Sequence, residues 1–133
     1  MGPSYNVLIH EIFKQQILLF VKSQPKSSQA AIEKQIITAL NKLKCDPTGP
    51  ANGNLHENRD PKFIGKIRKI YVGGNERYRL INLCLPEKKI VLPIYMSEVR
   101  RGDFDYGKIP WDSAANEIHA DFVNGATNNF SKL

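Results

Sequence analysis

The sequence has no long hydrophobic run and only two cysteines among its 133 residues. Its longest apolar stretches, residues 17–21 and 90–94, fall far short of the ~20 residues that a membrane-spanning helix needs. We therefore expect no membrane segment and no membrane partner. Cys45 and Cys84 lie far apart and neither belongs to a Cys-x-x-Cys pair, which argues against a zinc site or a disulfide framework. We interpret both as packing residues.

Sequence signatures of several enzyme classes are also missing. There is no phosphate-binding glycine loop, no His-Glu-x-x-His pair and no Gly-x-Ser-x-Gly elbow. These absences predict a protein without a metal site and without a cofactor. Residues 1–6 lack the basic segment that precedes the apolar core of a secretory signal, so we expect a cytoplasmic protein.

Positive charge is in excess. Nineteen Lys and Arg residues against thirteen Asp and Glu give a formal net charge of +6. Such an excess favours a polyanionic partner, and a merely solvated basic surface is the alternative. Hydrophobic residues make up 41% and charged residues 24%, which is typical of a globular chain. The length fits one domain over residues 1–133.

The first half of the chain predicts one strand and two helices. Residues 5–11 are rich in β-favouring side chains and predict the first strand. Over residues 12–22, apolar side chains recur with the spacing of one helical face. A second helix with the same stripe is expected to run to residue 44 from an N-cap at Ser27 or Ser28. Together they predict an antiparallel helical hairpin.

The second half predicts a sheet. Residues 46–62, rich in Pro and Gly, predict a long loop of the kind that contacts substrates. Residues 64–72, 78–85 and 90–97 predict a three-stranded meander, in which Pro93 indicates a free side or a bulge. A short helix capped by Asp112 or Ser113 and a polar tail over residues 125–133 follow. The predicted class is α+β, with the hairpin packed on an antiparallel sheet.

Cations and aromatic residues are interleaved over residues 62–108. In single-strand recognition, aromatic rings stack on bases while Lys and Arg hold phosphates. The ordinary preferences of strands for aromatics and of surfaces for lysine are the alternative explanation. The nucleic-acid-binding candidates are Lys62, Lys66, Arg68, Lys69, Arg77, Arg79, Arg100, Arg101 and Lys108, with Tyr71, Tyr78, Tyr95, Phe104 and Tyr106 as stacking rings.

The order of these elements and motifs resembles the RelE/ParE superfamily of type II toxin–antitoxin systems. A helical hairpin precedes a strand that carries Lys66-Ile67-Arg68, and after a turn comes Tyr78-Arg79-Leu80. Arg100 follows later, with Tyr106 six residues beyond it. The resemblance covers about residues 5–123 in layout and residues 66–106 in motifs, and it implies a RelE-like fold.

The resemblance implies an endoribonuclease, an mRNA interferase that cuts RNA on the ribosome. The implied chemistry is metal-free attack of the ribose 2′-oxygen on the adjacent phosphate, with cations stabilising the developing charge. Tyr106 or a lysine of lowered pKa is the candidate proton carrier, and His56 with Glu57 is the alternative. The catalytic residues carried over by position are Lys66, Arg79, Arg100 (or Arg101) and Tyr106, with Arg68, Lys69, Arg77, Arg101 and Tyr95 contacting RNA.

The same resemblance implies an acidic antitoxin partner. Two other functions stay open: a gyrase inhibitor of the same fold, with DNA gyrase as its partner and no nuclease activity, and a nucleic-acid-binding module that is not an enzyme.

We interpret His10 and His119 as structural or surface residues.

Overall fold

The computed structural model describes residues 4–55, 60–73, 78–98 and 111–133. Within these ranges it has three α-helices and six β-strands, so the predicted α+β class is confirmed. In chain order they are β1 (Asn6–His10), α1 (Glu11–Lys22), α2 (Gln29–Cys45), β2 (Asn52–Asn54), β3 (Ile67–Val72), β4 (Tyr78–Leu85), β5 (Ile90–Glu98), α3 (Trp111–Val123) and β6 (Phe130–Lys132). No helix in the described ranges is long and apolar enough to cross a bilayer.

The strands form one mixed sheet in the order β2-β3-β4-β5-β1-β6. Neighbours pair antiparallel except β1 and β5, which run parallel, so the prediction of a purely antiparallel sheet is wrong. No tight turn joins β1 to β5, because two helices and three strands lie between them in the chain. Such a distant connection permits parallel pairing.

Helices α1 and α2 pack on one face of the sheet, which we call the hairpin face. Their apolar stripes bury Phe13, Val21, Ile36 and Leu43 in a core shared with the sheet side chains of that face. α1 begins at a cap in which His10 Nδ1 accepts a hydrogen bond from Ile12 N at 3.0 Å. The residue that precedes α2 is Ser28, as predicted, but its hydroxyl makes no capping hydrogen bond.

Helix α3 covers the opposite face, which we call the α3 face. It is a full thirteen residues long and begins at Trp111, so the prediction of a short helix capped by Asp112 or Ser113 is wrong. The indole of Trp111 is buried in a second core with Ile118 and the strands beneath, which explains the earlier start. Part of the predicted polar tail forms strand β6, which pairs with β1.

The predicted loop over residues 46–62 contains regular structure. Strand β2 pairs with β3, and one turn of 3-10 helix spans Pro61–Phe63. Two buried side chains explain this order: Asn52 is hydrogen-bonded inside the sheet, and the ring of Phe63 enters the α3-face core. In the 3-10 turn, Asp60 caps the chain by accepting from Lys62 N.

Two further predictions have mixed outcomes. The bulge expected at Pro93 is confirmed, because the register of β4 and β5 shifts there between Ile81 and Asn82. Cys84 is buried, as expected of a packing residue, but Cys45 is exposed at the end of α2. The packing interpretation is therefore wrong for Cys45.

Candidate nucleic-acid interface

The alternation of β3 and β4 places two of the predicted cations on the α3 face. Lys69 pairs with Ile81, and Tyr71 pairs with Arg79. Ile81 belongs to the core beneath α3, and residues directly opposite or two apart in a sheet share a face. Ile81 in turn pairs with Tyr95. Lys69, Tyr71, Arg79 and Tyr95 therefore lie on one face, and we call them the strand patch.

Two cations of the strand patch approach one aromatic ring. The Arg79 guanidinium carbon lies 5.8 Å from the centroid of the Tyr71 ring. Lys69 Nζ lies 5.9 Å from the same centroid and donates to Asn54 O of β2 at 3.3 Å. These distances are within the range of cation–π attraction. The ring therefore orders both cations, and all three side chains are half-buried.

A buried hydroxyl lies next to the strand patch. Ser97 pairs with Arg79 across β4 and β5, and only 6% of the serine is exposed. Its Oγ has no hydrogen-bond partner among the described residues. Nothing in the sequence distinguishes this serine, because only the register of two strands places it beside an arginine.

Arg68 lies on the hairpin face, away from the strand patch. It pairs with Asn82, and its Nη1 donates to Asn52 O at 3.0 Å. Burial raises the pKa of the nearby Cys84 thiol, and the positive charge of Arg68 lowers it in part. The structure thus uses Arg68 to hold β2 and does not place it beside Arg79.

Lys66 lies at the other end of the β3–β4 hairpin from Arg79. It comes just before β3, and its carbonyl oxygen accepts from Cys84 N at 2.8 Å. The pairing of Tyr71 with Arg79 is four residues further along β3 than that of Ile67 with Leu83. Lys66 precedes Ile67 by one residue, so at ~3.3 Å per residue its backbone lies about 16 Å from the Tyr71–Arg79 pair. The structure does not bring these two predicted catalytic residues together.

Two lysines of this region, Lys62 and Lys66, act on His119 of α3 through their charges. Burial lowers the pKa of His119 most, and the positive charges of Lys62 and then Lys66 lower it further. The imidazole also packs edge-on against Phe63, with ring centroids 5.3 Å apart. His119 therefore belongs to a cationic cluster on the α3 face, a position that sequence reasoning missed.

Tyr78, predicted as a stacking ring, lies in the core of the hairpin face and is 5% exposed. Its hydroxyl donates to Gln24 Oε1 at 3.2 Å, and its ring packs edge-on against Phe20. It has no face available to a base, so that prediction is wrong. The pattern could not reveal this, since alternate residues of β4 face opposite cores.

His10 is a structural residue, as expected. It is 3% exposed, and its Nε2 lies 2.7 Å from Asp121 Oδ2 while its Nδ1 caps α1. The bond from His10 is the main cause that lowers the pKa of the Asp121 carboxyl. Several predicted site residues lie outside the described residues: His56, Glu57, Arg77, Arg100, Arg101, Phe104, Tyr106 and Lys108.

Comparisons with known proteins identify the fold. No protein-family model and no curated protein matches the chain. A free-state structure of a mutant of the E. coli toxin RelE is similar, with a TM-score of 0.51 and 17% identity over 86% of this chain and 97% of that one. For the toxin–antitoxin complex RelBE2 from Mycobacterium tuberculosis the TM-score is 0.48 and the identity 17%, with 72% of this chain and 92% of that one covered. For isolated E. coli RelE the TM-score is 0.43 and the identity 19%, with 86% of this chain and 99% of that one covered.

Proposed function

Because the chain has a RelE-like fold, we propose that it is the toxin of a toxin–antitoxin pair and that it cleaves mRNA on the ribosome. The observation that carries the proposal is the strand patch, where Arg79 and Lys69 converge on the ring of Tyr71. Two ordered cations beside an aromatic ring offer a phosphate and a base their usual partners.

In the proposed reaction a general base takes the proton of the ribose 2′-hydroxyl, the 2′-oxygen forms a bond to phosphorus, and the bond from phosphorus to the 5′-oxygen breaks as an acid protonates that oxygen. Negative charge grows on the phosphoryl oxygens during this step. The planar guanidinium of Arg79 suits that charge, because it donates two parallel hydrogen bonds and stays protonated. The ring contact with Tyr71 holds it in advance, which is how preorganised electrostatic stabilisation acts.

We propose that Arg100 and Tyr106 complete the centre, with Arg100 as a second phosphate ligand and Tyr106 as the proton carrier for the leaving 5′-oxygen. Arg77 and Arg101 would contact flanking phosphates, and Tyr95 would contact a base. Lys66, about 16 Å along β3 from Arg79, is left out of the reacting centre.

An acidic antitoxin is the proposed protein partner. The formal charge of +6 offers such a partner a complementary surface, and complementary charge accelerates association and selects the partner. Co-expression of this partner should relieve any growth arrest that the chain causes alone.

The experiment incubates the purified chain with ribosomes and mRNA, and separately incubates it with gyrase and supercoiled DNA. We expect cleaved mRNA from the parent chain, and a loss of roughly a hundred- to thousandfold in rate for Arg79→Ala. Arg68→Ala is the matched control, since it removes an arginine from the same hairpin on the opposite face. Uncleaved mRNA would contradict the proposed ribonuclease activity. If gyrase then failed to supercoil DNA in the presence of the chain, the function would be that of a gyrase inhibitor.

A further inference from the structure

The second cationic cluster on the α3 face is formed by two elements. Lys62 comes from the 3-10 turn and His119 lies on α3, and both contact the ring of Phe63. Lys62 Nζ donates to Asn116 Oδ1 at 2.6 Å and lies 5.1 Å from the centroid of the Phe63 ring. The amide and the ring thus hold one ammonium in a defined position beside the helix.

This cluster has no negative charge of its own in the described part of the chain. Lys62 and Lys66 have no carboxylate within ion-pair distance there. Their charges, after burial, hold the pKa of His119 below its ordinary value. Unneutralised like charges repel one another, so a bound anion would stabilise the Lys62 ammonium and the protonated form of His119.

The cluster lies on the same face as the strand patch, because Phe63 and Ile67 belong to the core beneath α3. The backbone from Ile67 to Tyr71, the partner of Arg79, spans about 13 Å. This distance corresponds to roughly four nucleotides of stacked strand, at about 3.4 Å each. A single strand held at Arg79 would therefore reach the Lys62 end of this face with a phosphate a few nucleotides away.

We propose that Lys62 and His119 form a second phosphate-binding site, which holds a backbone phosphodiester of the RNA a few nucleotides from the scissile one. Asn116 positions the Lys62 ammonium for this contact. The identity of the ligand as RNA rests on the proposed function, whereas the affinity for a tetrahedral oxyanion does not.

Binding of an oxyanion at this site is tested on the full chain with sulfate, whose charge is constant between pH 5 and 8. The pKa of His119, followed by NMR on the imidazole, should rise when sulfate replaces chloride at matched ionic strength. The rise should be smaller in Lys62→Ala and unchanged in Lys34→Ala, which removes an exposed lysine from α2 on the hairpin face. A His119 pKa that is insensitive to sulfate overturns the site.

Binding of RNA is tested with a single strand whose 2′-oxygens are methylated. Such a strand lacks the attacking 2′-hydroxyl and therefore stays intact during the measurement. Lys62→Ala should weaken binding roughly two- to fivefold, the effect of one exposed ion pair. It should also reduce the slope of log affinity against log salt by about one phosphate contact. Lys34→Ala should change neither quantity.

The outcomes separate this site from the proposed function. If the parent chain cleaves no RNA but Lys62→Ala still reduces the sulfate response and the salt slope, the nuclease fails and the second site stands. If RNA is cleaved but Lys62→Ala binds RNA with the parent's affinity and slope, the second site is wrong. His119→Gln, which keeps a polar group of similar size, should weaken sulfate binding, followed in this variant by the amide NMR shifts of α3, without lowering the unfolding midpoint. A lowered midpoint with unchanged sulfate affinity would make His119 purely structural and overturn its assignment.

Discussion

A buried amide pair decides whether β2 stays in the sheet, and its removal gives a measurable prediction. Asn52 Nδ2 donates to Asn82 Oδ1 at 3.0 Å, and Asn82 Nδ2 donates back to Asn52 Oδ1 at 2.8 Å. Both residues are 0% exposed. Asn52 also donates to Pro47 O at 2.8 Å, so the pair ties β2 and the preceding turn to the centre of the sheet.

The substitution Asn82→Leu would leave Asn52 Oδ1 and one Asn52 amide hydrogen buried without partners. Each orphaned group costs about 1–3 kcal/mol, so the free energy of unfolding should fall by ~2–6 kcal/mol. With an m-value of about 2 kcal/mol/M, the urea midpoint should fall by roughly 1–3 M. The whole stability of a domain this size is only ~5–15 kcal/mol, so the change is large.

The assay is urea unfolding followed by circular dichroism. Leu83→Met is the control, because it changes a buried side chain of β4 with little change in volume and should cost less than about 1.5 kcal/mol. The double variant Asn52→Leu/Asn82→Leu should recover part of the loss, since neither amide is then orphaned. If Asn82→Leu unfolds at the parent's midpoint, the two side chains do not share these hydrogen bonds, and the buried amide pair does not hold β2 in the sheet.

Three further predictions follow from single side chains. Arg68→Ala should lower the unfolding midpoint but leave the salt slope of RNA binding unchanged, because the guanidinium holds β2 on the hairpin face. The pKa of Asp121 is lowered by its bond to His10, so the stability it contributes is present above pH 3.8 and lost as pH falls through the folded pKa; Asp121→Asn should remove this acid-dependent part of the unfolding free energy. Thiol labelling should modify exposed Cys45 rapidly and Cys84 only on unfolding, since burial both covers Cys84 and raises its pKa.

Local periodicity was sufficient to predict most of the elements. The limits predicted for β4 agree with the structure, and the bulge at Pro93 follows from a missing backbone donor. Both depend on residues close in the chain. The parallel pairing of β1 with β5 and the strand β6 depend on partners far away in the chain, and no local pattern specifies such partners.

The polar residues of β2 show a second limit. Asn52 and Asn82 look like loop or surface residues in the sequence, yet they satisfy each other in the core. A buried polar group is tolerated only with a partner, and that partner lies thirty residues away. This is why residues 46–62 read as a loop without a strand.

The candidate site was predicted in part. Period-two alternation already separates Arg68 from Lys69 onto opposite faces, once β3 is known to begin at Ile67. The pairing of Tyr71 with Arg79 requires the register of two strands, which the sequence leaves open across the intervening turn. The role of His119 had no sequence signal, because the lysines near it belong to other elements.

The separation of Lys66 from Arg79 can be tested by a double-mutant cycle on the affinity for non-cleavable RNA. Groups more than ~7–10 Å apart without shared partners act additively within about 0.5 kcal/mol. Lys66→Ala and Arg79→Ala should therefore weaken binding independently, each removing its own phosphate contact. Tyr71→Ala and Arg79→Ala should couple by more than about 0.5 kcal/mol, since the ring orders the guanidinium. A coupling energy between Lys66 and Arg79 as large as that between Tyr71 and Arg79 would mean that both cations hold one phosphate. The inference that the two cations contact separate phosphates would then be wrong.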